Sequence, residues 1–378
     1  MLFLNGFDGQ WRRRRRLALR PLFFVLVSGV LLSNSVGVGA IAASAQDLAS
    51  ADPSMVRFDS PVECTVNPQT PGACVIQQYV DLDPGPGRLD HGCGRLSYDG
   101  ATGTDFRTPT LADMRVGVAV LAAAGGVVEA VRDGMADVSV RDIGFDAVAG
   151  REAGNGVVIR HNQDWVTQYS HLKKGSVQVR PGDRVARGAV IGSIGLSGRT
   201  EFPHVEFTVR HRGEPVDPFV GIPVGVSIED APSSATKKRG CEGRRAPLWT
   251  PAALAQFEYV PTGILAMGVA EGAATAQRAR VGRYDRLTIT TKSPAIVIWV
   301  DSYGTEENDR QHFTLRAPGG RLIYDTSSVL EKNNISWFAF AGRRAPAGGW
   351  VPGAYEARYT LTRDGQSVAS RTFTFHIK

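Results

Sequence analysis

Four side chains in this sequence have the donor atoms and the spacing of a metal-dependent or acid–base site. Asp105 closes the run Tyr98–Asp99–Gly100–Ala101–Thr102–Gly103–Thr104–Asp105–Phe106. His171 lies in Tyr169–Ser170–His171–Leu172, and His204 and Glu206 lie in Phe202–Pro203–His204–Val205–Glu206–Phe207. Imidazoles and carboxylates brought to one place can hold a cation or pass protons, because imidazole changes charge near neutral pH. His204 and Glu206 are two residues apart, so on a strand they share a face and, without a metal, can hydrogen-bond or share charge. Asp99 stands two residues before Ala101 and shares its face if the chain is extended there. His91 is also near in sequence. His161, His211, His312 and His376 have no comparable neighbours and read as structural. Neither a Gly-Xaa-Ser-Xaa-Gly nor a phosphate-loop pattern appears.

The elements that must position these groups are strands. Val75–Val80 reads as one. Val118–Val120, Gly126–Val131, Gly156–His161, Val166–Tyr169 and Val205–Arg210 are short β-branched or apolar runs between turn residues such as Gly182–Asp183 and Gly188. Only Thr108–Arg115 has helical spacing. Taken alone, this texture predicts a generic antiparallel β-domain.

The motif residues say more. Tyr169–Ser170–His171–Leu172, Gly182–Asp183–x–Val185, Gly188, Ile191–Gly192, Gly195–Leu196–Ser197–Gly198 and Pro203–His204–x–x–Phe207 stand together at one spacing. Over residues 96–218 the chain resembles the LytM/lysostaphin-type zinc peptidases, which cut peptide cross-bridges in bacterial cell walls. The resemblance implies the duplicated-hybrid-motif fold, a grooved antiparallel β-domain with zinc on the groove floor. It implies that His171 and His204 are the catalytic neighbours of the metal. Its metal ligands are a His-x-x-x-Asp pair and the last His of His-x-His, which here read Ala101, Asp105 and Glu206. A methyl group coordinates nothing, and a second carboxylate makes zinc a weaker Lewis acid. Asp105, His171, His204 and Glu206 remain as a set that would have to gather a metal in a rearranged geometry.

After residue 218 the texture changes. Residues 219–256 read as a linker, with Ile228–Ser234 followed by the basic Lys237–Lys238–Arg239. Residues 257–378 carry a second all-β pattern, with strands expected at Leu287–Thr291, Ala295–Val300, Phe313–Arg316, Leu322–Tyr324, Ser336–Phe340, Tyr355–Thr362 and Thr372–His376. Seven such runs suggest an immunoglobulin-like sandwich. Trp299 and Trp337 fall in strands and read as core. Trp350 falls in a loop, where it would be free to join an aromatic binding face.

The N-terminus carries an export pattern. Arg12–Arg16 precede the apolar Pro21–Leu32, and Ala43–Ser44–Ala45 supplies a cleavage site, so residues 1–45 read as a signal peptide. The apolar run is shorter than the roughly 20 residues that span a bilayer, so no stable span is expected after cleavage. The formal charge of +6 is concentrated there, since removing residues 1–45 leaves 37 basic and 36 acidic residues of the original 43 and 37. That near-neutral balance gives no electrostatic basis for nucleic-acid binding. Four cysteines in an oxidising compartment favour disulfides: Cys64 with Cys74 across a short loop in the irregular lead-in 46–95, and Cys93 with Cys241.

Together these readings describe an exported protein of a bacterial envelope, periplasmic or secreted, whose LytM-type domain has lost two of three ligands. The expected partners are peptidoglycan and a cell-wall amidase or other envelope hydrolase that it regulates, as the resemblance implies. The alternative is an active zinc metalloendopeptidase that uses an atypical ligand set.

Overall fold

The computed structural model describes residues 56–67, 73–162, 164–226 and 246–378. The expected signal peptide, Cys241 and the basic stretch of the expected linker lie outside the described residues.

The first half of the fold contains strands β1 (Val75–Gln78), β2 (Thr104–Arg107), β3 (Ala119–Leu121), β4 (Gly126–Arg132) and β5 (Asn155–Arg160). It continues with β6 (Trp165–Leu172), β7 (Arg184–Val185), β8 (Val190–Ser193), β9 (His204–His211) and β10 (Glu214–Val216). One antiparallel sheet runs β1-β2-β9-β6-β5-β4-β7, with β10 added to β9, while β3 and β8 form a separate ribbon. The period-2 alternation of β9 explains its place in the sheet. Val205, Phe207 and Val209 are fully buried and pack with Phe106, Tyr169 and Val157 in the core, and His204 and Glu206 point to the opposite face. The Tyr169 hydroxyl accepts the Ala123 N–H at 2.8 Å, which ties the segment after β3 to the sheet.

The expected helix appears as α1 (Leu111–Val116), one turn and a half long. Thr110 caps it in a reciprocal capping box with Asp113, and Gly117 ends it at φ 101°, where a side chain would be strained. Three further short helices, α2 (Val140–Ile143), α3 (Pro251–Leu254) and α4 (Ala276–Arg280), lie in connections.

The segments flanking the central domain pack into its core. Phe58, Val62 and Val66 precede it, and Leu248, Trp249, Ala253 and Phe257 follow it, all in one hydrophobic cluster with Phe106 and Phe207. Phe58 and Trp249 also share a β-bridge. Cys64 and Cys74 form the expected disulfide, with Cα atoms 5.9 Å apart. Cys93 is also disulfide-bonded.

The C-terminal part contains β11 (Gly263–Ala270), β12 (Ala295–Thr305), β13 (Arg310–Arg316), β14 (Leu322–Val329), β15 (Asn334–Arg344), β16 (Gly353–Arg363) and β17 (Gln366–Ile377). They make a three-stranded sheet, β11-β12-β15, and a four-stranded sheet, β14-β13-β16-β17. Ile264, Ile298 and Val300 of the first pack with Phe313, Leu315 and Tyr359 of the second in a shared core. Seven strands are present, but one differs from expectation. Leu287–Thr291 is not a strand; its Ile289 is buried from an irregular segment, and the Thr291 carbonyl accepts from Trp350 N. The missing strand is β11, which is poor in β-branched residues and is held by its pairing with β12. Trp350 is also corrected: it lies in a loop yet is buried, with Nε1 donating to Ser293 O at 2.8 Å, and is unavailable for an aromatic binding face. Trp299 is core, and Trp337 is half-buried with Nε1 donating to Gln311 Oε1.

Candidate functional site

The four expected residues meet on three adjacent strands. Asp105 of β2 stands directly opposite Glu206 of β9, and Glu206 stands directly opposite Ser170 of β6. Asp105, His171 and His204 are buried, and Glu206 is the most open of the four. His171 is reached by a break in the ladder. The β5–β6 register shifts between Asn155 and Val157, and His171 has φ 64°, an unusual backbone for a residue with a side chain. Strand alternation therefore fails at His171, and its Nε2 lies 3.5 Å from Glu206 Oε2. The conformation is held from both ends: His171 N donates to Ala153 O, and Nδ1 contacts Ser197 O at 2.8 Å. Backbone strain of about 1–3 kcal/mol is tolerated where the surroundings over-determine it, most often at functional sites.

His204 is fixed as firmly. Its Nδ1 contacts Phe202 O at 2.9 Å and Thr200 Oγ1 at 3.1 Å, and its N–H donates to Gly195 O. Gly195 must lack a side chain, because a Cβ there would stand 2.2 Å from Lys173 N. At Gly103 an added Cβ would stand 2.5 Å from Glu206 Cγ, so a side chain there would displace the Glu206 side chain. His204 Nε2 lies 3.6 Å from Asp105 Oδ1, and the His171 and His204 rings are 4.7 Å apart. His204 and Glu206 do share one strand face as expected. Each, however, faces a partner across the sheet, giving the pairs His204–Asp105 and His171–Glu206. Both separations exceed a hydrogen bond.

Burial sets the charges. Desolvation first, then the facing Glu206 carboxylate, hold the Asp105 carboxyl well above the usual carboxylate range, with Arg107 acting in the opposite direction. Desolvation first, then His171, push His204 well below the usual imidazole value, so it is neutral at pH 7. Two carboxylates facing each other across strands repel unless a proton or a cation lies between them.

The remaining expectations sort simply. Ala101 is buried, with its N–H donated to Tyr98 O and its carbonyl accepting from Asp81 N; it offers no donor atom for a metal. Asp99 lies in an exposed turn, since the chain is not extended between Tyr98 and Gly103. His91 stacks on Phe219 at 4.2 Å within an aromatic cluster. His161 bridges Gly125 O and Thr167 Oγ1, and His211 stacks on Trp165. Among the described residues no group of three or more His, Cys, Asp or Glu side chains is arranged to hold a metal ion. The four donors lie in two facing pairs side by side, and the position where the resemblance expects a histidine ligand holds Ala101, which has no donor atom.

One neighbour was not foreseen. Arg107, two residues beyond Asp105 on the same face of β2, is completely buried and lies over the Phe202 ring at 4.6 Å. Burial pulls its guanidinium down to about 9, still charged at neutral pH. The i, i+2 spacing from Asp105 was the signal that could have found it.

Comparison with known proteins completes the picture. Residues 100–218 match the sequence model of peptidase family M23. This domain belongs to peptidase family M23. The peptidoglycan DD-endopeptidase ShyA of Vibrio cholerae is 40% identical to it over 77 residues, 20% of this chain and 17% of that protein. The cell division protein DipM of Caulobacter vibrioides is 34% identical over 76 residues, 18% of this chain and 12% of its own. The lipoprotein NlpD/LppB homolog of Pseudomonas aeruginosa is 32% identical over 109 residues, 29% of this chain and 31% of its own. The chain therefore spans less than a third of the length of these curated relatives. A zinc-containing peptidase from Vibrio cholerae, known from its crystal structure, is 29% identical, covering 43% of this chain and 39% of that one, at a TM-score of 0.28. Within the M23 domain the strand pairing brings Asp105, His171, His204 and Glu206 together. Among the described residues no helix is long and apolar enough to cross a membrane.

Proposed function

We propose that this is an exported M23-domain protein of the bacterial envelope whose groove binds peptidoglycan peptides without cutting them. In that role it would regulate an envelope hydrolase such as an amidase. One observation carries the reading: Ala101 occupies the first ligand position, buried and locked by two backbone hydrogen bonds, so no small rearrangement of that segment supplies a metal donor. Glu206 at the last ligand position faces a second acid instead of completing a ligand triad with it. On this reading His171 and His204, each fixed by a backbone carbonyl at Nδ1, would turn Nε2 to a bound peptide amide. On this reading residues 257–378 are an immunoglobulin-like module, supported by its two sheets and shared core.

The competing reading, a zinc endopeptidase with ligands Asp105, Glu206 and a histidine, is favoured by the facing carboxylates, which a cation would stabilise. Digestion of purified sacculi separates the two. The binding role predicts co-sedimentation with sacculi, no chelator-sensitive release of wall fragments, and raised activity of a cognate amidase in mixtures. Chelator-sensitive release that His171→Ala and His204→Ala abolish would establish the enzyme instead.

A further inference from the structure

Arg107 is a fully buried cation with no ion-pair partner among the described residues. Neither acid whose charge acts on it pairs with it: Asp105 makes no ion pair or hydrogen bond with the guanidinium among the described residues, and Asp301 of β12 is held by Arg280 through contacts of 2.6 and 2.8 Å. Nε of Arg107 donates to Thr108 O at 3.3 Å, and Nη1 donates to Gln77 Oε1 of β1. Nη2 finds no acceptor, and neither does Gln77 Nε2, although both atoms are sealed from solvent. The two orphaned groups are neighbours, because Gln77 accepts from Arg107. Both are donors: arginine has no acceptor at all, and the one acceptor of the Gln77 amide is already used. What these two donors lack is therefore an acceptor, and beside a buried guanidinium the compensating acceptor is an anion.

We propose that Arg107 Nη2 and Gln77 Nε2 form a carboxylate-binding subsite beside the M23 groove, fitted to a peptide C-terminus or a small free carboxylate. The two oxygens of a planar carboxylate match two adjacent N–H donors, and a guanidinium is the group best suited to such pairing. The subsite lies one ring from the site histidine, since Phe202 touches both the Arg107 guanidinium at 4.6 Å and the His204 ring at 4.7 Å. A peptide held there by its terminal carboxylate places its last amide near His204. Phe202, half-buried over the guanidinium, is the side chain whose movement we assign as the ligand's way in. The subsite deepens the binding role proposed above but does not depend on wall peptides as the ligand.

Calorimetric titration of the purified chain at matched ionic strength tests this with three probes: N-acetyl-D-alanyl-D-alanine, its C-terminal amide, and sodium acetate. The subsite predicts that the dipeptide acid or acetate binds saturably and that the amide binds at least ten-fold more weakly than the acid. Arg107→Gln weakens binding at least ten-fold, and Gln77→Ala weakens it less. Binding of the acid alone identifies a peptide terminus as the ligand, and binding of acetate as well identifies a small-anion site, so the wall-peptide reading and the subsite fail separately. Silence from both acid and acetate, equal binding of acid and amide, or undiminished binding by Arg107→Gln overturns the proposal. Should Arg107→Gln fail to fold, as judged by circular dichroism, the acid–amide comparison on the wild-type chain still decides.

Discussion

Asp217 provides a quantitative test of how this fold treats a buried charge. It follows β10, is completely buried, and accepts from Phe219 N at 2.6 Å and Val220 N at 3.0 Å through Oδ1 alone. Its Oδ2 is sealed from solvent and finds no partner among the described residues. Desolvation dominates, with Asp90 adding repulsion and the two N–H groups opposing, and the carboxyl is raised from 3.8 to about 7. The folded state therefore keeps a proton that the unfolded chain releases near pH 4. Stability from this group is fully present below about pH 4, falls as pH rises, and levels off above about 7. The full shift corresponds to about 4 kcal/mol, of which about 2–3 kcal/mol falls between pH 5 and 8. Asp217→Asn keeps the Oδ1 acceptor and cannot ionise, so it removes this slope. Urea unfolding of both proteins at pH 5 and 8, followed by tryptophan fluorescence, should show the variant gaining about 2–3 kcal/mol on the wild type between the two pH values. Asp105 and His204 titrate in both proteins and cancel in the difference. Parallel pH profiles would mean that the carboxylate is solvated in solution, and the reasoning from burial would be wrong.

Three further outcomes follow from the site. Gly195→Ala should destabilise by about 1–3 kcal/mol or more, because the added methyl meets backbone atoms at 2.2–2.4 Å that cannot swing away; a thermal midpoint within a degree of wild type would contradict this. Tyr169→Phe leaves the buried Ala123 N–H without its acceptor and should cost about 1–3 kcal/mol, read by urea unfolding. Ala101→His combined with Glu206→His recreates the ligand set of the resembled family and should confer stoichiometric zinc binding. An unchanged metal content in a folded double variant would show that the groove, and not only its ligands, has departed from the family.

Much of the central domain was legible because one physical signal dominated each element. Alternation made β9 unmistakable, with Val205, Phe207 and Val209 inward and His204 and Glu206 outward. The helical spacing of Thr108–Arg115 placed α1 within three residues of its start, which the Thr110–Asp113 capping box sets. The spacing of Cys64 and Cys74 was sufficient for their disulfide. The failures have equally local causes. β11 is built from small residues and owes its existence to pairing with β12, whereas Leu287–Thr291 has the alternation of a strand but turns at Thr290–Ser293 and buries Ile289 without a partner strand. At the site, the residues were readable but their partners were not. Same-face logic links His204 to Glu206, yet strand register sets Asp105 opposite Glu206 and Arg107 opposite His204, so that His204 approaches Asp105 diagonally and a left-handed His171 approaches Glu206. Register is a tertiary property, and so is the complete burial of Arg107 two residues beyond Asp105.

The central claim is that this M23 groove works without a metal, and metal stoichiometry tests it most directly. The purified protein should be incubated with zinc, dialysed, and analysed by elemental methods beside its His204→Ala variant. The account predicts no retained zinc in either. Near-stoichiometric zinc in the wild type, lost in the variant, would show that Asp105, Glu206 and a histidine rebuild a metal centre, and the non-hydrolytic reading would be wrong.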